Sequence, residues 1–147
     1  MSSDSAFLQG TTHKVCEDYV ISGDGFVIGA DGSSGAPMPG DDYTASSQGE
    51  LHTDIGARLL CLSAKNLLKN KVNLEDDKQF GLMTINSAAQ MCNALGVNKS
   101  CLLSTLVMCV RNEKFFDFYM YGDGFFVVNY QDGSRTVFSV KFTSGAP

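Results

Sequence analysis

The sequence predicts an α+β domain built as a layered antiparallel β-sandwich flanked by helices. Three observations carry that expectation: strand-like segments at both ends of the chain, two amphipathic helical stretches between them, and Gly-containing turn signals between successive strands. A length of 147 residues suits one domain spanning 1–147, and a hydrophobic fraction of 44% with 18% charged residues is that of an ordinary globular chain.

Residues 6–12 and 15–21 have strand-like composition, and Gly23-Asp24-Gly25 marks a hairpin before a short buried strand over 26–30. From Asp31 to about His52 the chain is rich in Gly, Pro and Ser, which predicts a long loop of the kind that carries function. Thr53 can cap a helix reaching about Asn70, with Ile55, Leu59, Leu60, Leu62, Leu67 and Leu68 on one face. A polar link over 73–79 precedes a second helix over 82–95, which Gly96 ends. Four strands follow, over 102–110, 115–121, 125–130 and 136–142, with turns at 111–114, 122–124 and 131–134. In the first two of these, apolar residues occupy both alternating sets: Phe116, Phe118 and Met120 stand against Phe115, Tyr119 and Tyr121. That pattern predicts cover on both faces.

A formal net charge of −5 argues against nucleic acid or anionic membrane as a partner and favours cations. The N-terminus has no basic-then-apolar leader, and no apolar run is long enough to span a bilayer, which predicts a cytoplasmic protein. Cys16, Cys61, Cys92, Cys101 and Cys109 are odd in number and form no C-x-x-C pair. They are expected to be small buried apolar residues rather than zinc ligands or a disulfide framework.

Three acidic motifs stand at predicted strand ends: Glu17-Asp18, Asp31-Gly32 and Asp123-Gly124. Hard divalent cations such as Mg²⁺ and Mn²⁺ take oxygen ligands, so carboxylates converging from the strand ends of one sheet edge make a metal site. A Gly directly after a ligand Asp lets the backbone approach and add a carbonyl oxygen. Asp24-Gly25 and Asp132-Gly133 read as turns only.

The segments Gly10-Thr-Thr-His13-Lys-Val-Cys-Glu17-Asp18, Phe26-Val-Ile-Gly-Ala-Asp31-Gly32-Ser-Ser-Gly35 and Phe118-Tyr-Met-Tyr-Gly122-Asp123-Gly124 occur in that order, with two helices between the second and third. In this the chain resembles the type 2C family of metal-dependent protein serine/threonine phosphatases, over roughly residues 8–135. The resemblance implies two Mn²⁺ or Mg²⁺ ions, and a third held more weakly. It implies Glu17 as a ligand of one ion, Asp31 as the carboxylate bridging two, Gly32 as a carbonyl ligand and Asp123 as the aspartate of the third. Asp18 is implied as a catalytic partner acting through a metal-bound water, and phosphoserine or phosphothreonine in a phosphoprotein as the substrate. The resemblance further implies that a water activated by two cations would attack phosphorus in line, with no phosphorylated residue.

The sequence also departs from the family pattern. His13 stands where a phosphate-gripping Arg is usual, with Lys14 beside it, and Ser33 stands where many members place a His that protonates the leaving group. These three are the expected substrate-binding residues, His13 doubling as a catalytic one. Family members carry two further metal-binding aspartates in a second half, and the sequence ends at Pro147 before either. The expectation is therefore a domain incomplete at its C-terminus, with little activity alone, which self-associates or pairs with a missing C-terminal segment. The alternative is a catalytically inactive phosphatase-like module that binds or regulates.

Overall fold

The structure, a computed structural model, describes residues 16–32, 48–70 and 76–140, with 48–54 and 77 described by backbone alone. Within these residues the chain is a mixed α+β fold of antiparallel sheets and two helices. Strands β1 (Tyr19–Gly23) and β2 (Phe26–Gly32) form a hairpin, followed by helices α1 (Gln48–Lys69) and α2 (Asp77–Leu95). A single 3₁₀ turn, Lys99–Leu102, leads into β3 (Ser104–Arg111), β4 (Phe116–Tyr121), β5 (Gly124–Asn129) and β6 (Arg135–Val140). The first four strands make one sheet in the order β1-β2-β3-β4, and β5 pairs with β6 alone.

The β1–β2 turn is Asp24-Gly25, with Gly23 paired to Phe26 and Gly25 at φ 82°, a backbone that only Gly adopts without strain. The two acidic turns read as turns only are turns here, since Asp132 accepts from the Ser134 amide at 2.8 Å and Gly133 takes φ 84°. Other boundaries move. β2 runs on through Asp31 and Gly32, which the sequence assigned to a loop, because both continue the ladder to Thr105 and Ser104. Glu17 and Asp18 precede β1 instead of lying within it. The strand expected over 6–12 lies outside the described residues.

α1 already includes Gln48, so Thr53 sits inside the helix and does not cap it. α2 begins at Asp77, five residues before the sequence suggested. Its cap is Asp76, whose carboxylate accepts from the Gln79 amide at 2.8 Å. That Asp-x-x-Gln spacing was the missed signal, an acidic version of the capping box. Gly96 ends α2 at φ 67°, as its position suggested.

Both helices lie on one face of the four-stranded sheet. α1 presents Ala57, Leu60, Cys61 and Ala64 to a core that includes Ile28, Ala30, Leu106 and Met108, while Phe80, Ala88 and Cys92 enter the same core from α2. Complete burial of Phe80 contributes roughly 1.5–3 kcal/mol. The deepest α1 positions are small residues, not the leucines of the expected stripe. The cause is close approach: a Cβ on Gly56 would stand 1.7 Å from the Cys101 carbonyl oxygen, so α1 rests directly on the 3₁₀ backbone.

The β5–β6 hairpin packs on the opposite face. Phe118 of β4 meets Phe126 edge-on with centroids 4.8 Å apart and stacks on Phe138 at 6.1 Å. This second cover is partial, contrary to the expectation that β4 is closed on both faces: Phe116 and Phe118 remain exposed. A two-stranded hairpin is too narrow to roof a four-stranded sheet.

Candidate acidic site

One end of the four-stranded sheet gathers the acidic motifs. In the β1–β2 ladder Tyr19 pairs with Ala30, so the next rung outward faces Asp18 toward Asp31, and the Gly32 amide donates to the Glu17 carbonyl at 3.3 Å. Asp31 in turn pairs with Thr105 and Gly32 with Ser104 on β3, while Leu106 pairs with Tyr121 on β4. Gly122 and Asp123 therefore follow β4 out at the same end. β1, β2 and β4 thus bring Glu17, Asp18, Asp31 and Asp123 to one edge, with β3 between β2 and β4.

Gly122 fixes that last approach. Its φ of 94° disfavours any side chain, and a Cβ there would stand 3.0 Å from the Thr105 Cγ2. The turn can therefore fold tightly over β3, one rung from Asp31.

The electrostatics follow from the crowding. The Asp31 carboxyl is pushed up from 3.8 to about 6, first by desolvation and then by a hydrogen bond with Asp18, with the charges of Asp18, Asp123 and Glu17 adding to the rise. Asp31 itself stays exposed at the rim, whereas Glu17 is only 7% exposed. The structure thus brings together the four carboxylates that the sequence singled out. It does not set them as a finished metal cage: among the described residues, no three or more His, Cys, Asp or Glu side chains form a group that could hold an ion. His13, Lys14 and Ser33 lie outside the described residues.

Sequence reasoning missed Ser104 and Thr105, which form the floor of this edge. Their only signal was a polar pair opening an apolar strand. The Ser104 hydroxyl is buried with no hydrogen-bond partner among the described residues. Cys16, next to the acidic pair, directs its Sγ to the Asp18 carbonyl at 3.9 Å. The other thiols behave largely as expected: all five cysteines are free, with Cys61, Cys92 and Cys101 buried and Cys109 half-buried.

No described helix is long and apolar enough to cross a membrane. Comparison with protein-family models, with curated proteins and with solved structures finds no match.

Proposed function

We propose that this chain is a type 2C-like phosphatase domain, cytoplasmic, whose chemistry is hydrolysis of phosphoserine or phosphothreonine esters in proteins. The observation that supports the reading is Asp31: desolvation first, then the hydrogen bond with Asp18 and the charges of Asp18, Asp123 and Glu17, raise its carboxyl to about 6. Such an edge is short of positive charge, and a hard dication supplies it. Glu17, Asp31 and the Gly32 carbonyl would hold Mn²⁺ or Mg²⁺, with Asp123 serving a further ion. When bound, the ions supply a water acidic enough to be hydroxide near neutrality and offset the charge that develops on the phosphoryl group.

The chain's own residues have narrower roles. Asp18, hydrogen-bonded to Asp31, orients the attacking water and receives its proton. In sequence, His13 and Lys14 take the place of a phosphate-gripping arginine, and Ser33 that of the family's leaving-group histidine. Three carboxylate ligands under-compensate two dications, so little turnover is expected from these 147 residues alone.

A second reading is a phosphatase-like module that binds a phosphoprotein without hydrolysing it. It is favoured by the absence, among the described residues, of three donors in ion-holding arrangement. Calorimetric titration with Mn²⁺ separates the two. The enzyme reading expects heat with proton release below pH 6, slow Mn²⁺-stimulated hydrolysis of an aryl phosphate, and loss of both in Asp31→Asn. No heat at millimolar Mn²⁺ would leave the module, and chelator-insensitive turnover would end both.

A further inference from the structure

Away from the acidic edge, two thiols meet in the core. Cys92 lies near the end of α2 and Cys101 in the 3₁₀ turn, and their sulfurs are 3.6 Å apart. The short connector between them is hydrogen-bonded back on itself yet solvent-exposed over residues 93–96. The Val97 amide donates to the Cys92 carbonyl at 2.9 Å, the Asn98 side chain accepts from the Ser100 amide at 3.0 Å, and the Cys101 amide donates to the Asn98 carbonyl at 3.2 Å. These bonds fold the turn back onto the helix that precedes it. A disulfide needs about 2.05 Å between sulfurs, so an approach of about 1.5 Å closes the bond.

We propose that Cys92 and Cys101 form a redox staple, closing to an intramolecular disulfide under peroxide and reopening with thiol reductants. One thiol ionises, its thiolate attacks a peroxide oxygen, the O–O bond breaks, and sulfenic acid and hydroxide result, the hydroxide taking up the released proton to give water. The second thiol then attacks the sulfenic sulfur, the S–S bond forms, and the S–O bond breaks to release a second water. Both sulfurs together lose two electrons and the peroxide gains them.

Burial sets the rate. Cys92 and Cys101 are 0% and 2% exposed, and burial, with the hydrogen bond to Cys92, pushes the Cys101 thiol up to about 12. Thiolate is scarce in the closed fold, so oxidation waits on opening of the exposed segment from Asn93 to Gly96. The staple therefore responds to sustained oxidant and not to brief pulses. Selectivity comes from placement: Cys61 is equally buried, but its sulfur faces the Tyr19 carbonyl at 3.6 Å.

The linkage matters because the stapled turn leads directly into β3. Ser104 and Thr105, the floor of the acidic edge, follow Cys101 within a few residues. Closing the bond fixes the start of that strand to α2.

The test uses the full chain. After hydrogen peroxide treatment, denaturation, alkylation and digestion, mass spectrometry is expected to find one peptide joining Cys92 to Cys101, two hydrogens lighter than the separate peptides. The melting temperature is expected to rise by roughly 5–10 °C and to fall back with reductant. Cys101→Ser is expected to remove both effects. Should that variant fail to fold, the wild-type peptide map decides alone. Both thiols still alkylatable after Cys16 has been oxidised, a cross-link to Cys61 or Cys109, or an unchanged melting temperature in the cross-linked chain would overturn the staple.

Discussion

Asp31 shows how one carboxyl set among others costs the fold stability. Its carboxyl holds a proton to about pH 6 in the fold against 3.8 in its absence, so the folded chain binds a proton more tightly than the unfolded one. Between about pH 4 and 6, stability is then lost as pH rises, and above that window the full penalty is present. The side chain is exposed at the rim, so solvent screening reduces the penalty to on the order of 1 kcal/mol. Asp31→Asn should melt higher than the parent at pH 7.5 and equally at pH 4, as read by scanning calorimetry. A variant less stable at pH 7.5 would show that the crowding is relieved some other way. The identity of the acidic residues was legible from motif order, whereas the hydrogen bond between Asp18 and Asp31 was not. It depends on a cross-strand rung that only the register reveals.

The elements were legible where local chemistry decided them and obscure where tertiary approach did. The Asp24-Gly25 turn and the Gly96 cap each need a backbone that few residues adopt, and the sequence marked both. α1 is the contrary case. Its leucines suggested the buried face, yet Gly56 and Ala57 lie deeper because the helix sits on the backbone of the 3₁₀ turn. Periodicity reports which face is apolar and carries no measure of how close the neighbour comes. Gly56→Ala should therefore cost roughly 1–3 kcal/mol in urea unfolding, the range for overpacking a tight contact. The opposite substitution logic applies at Gly96, where nothing lies within 4 Å of the missing Cβ and only the backbone angle resists. A neutral Gly56→Ala would mean that α1 stands off from Cys101 in solution.

Across the whole molecule, the apolar surface is unevenly covered. Phe115 and Phe125 are 68% and 66% exposed, and Val127, Val137, Phe138 and Val140 are exposed with them along β5 and β6. Exposed strands with free edges and apolar faces associate. We expect the isolated chain to sediment as concentration-dependent oligomers, and Phe125→Ser with Val137→Thr to shift it toward monomer. A compact monomer at high concentration in the parent chain would refute this. The sequence foretold a sheet wanting company but placed β4 under cover, since alternating apolar residues look alike whether their roof is present or missing. One further property follows from the strand order. Every pairing joins consecutive strands through a short turn except that of β2 with β3, which must close across both helices from Gly32 to Ser104. Local hairpins and helices form quickly, and long closures come late. Glu17, Asp18 and Asp31 arrive on one hairpin and Asp123 on another, so like charges meet along the last seam to zip, when the surrounding structure already holds them in place.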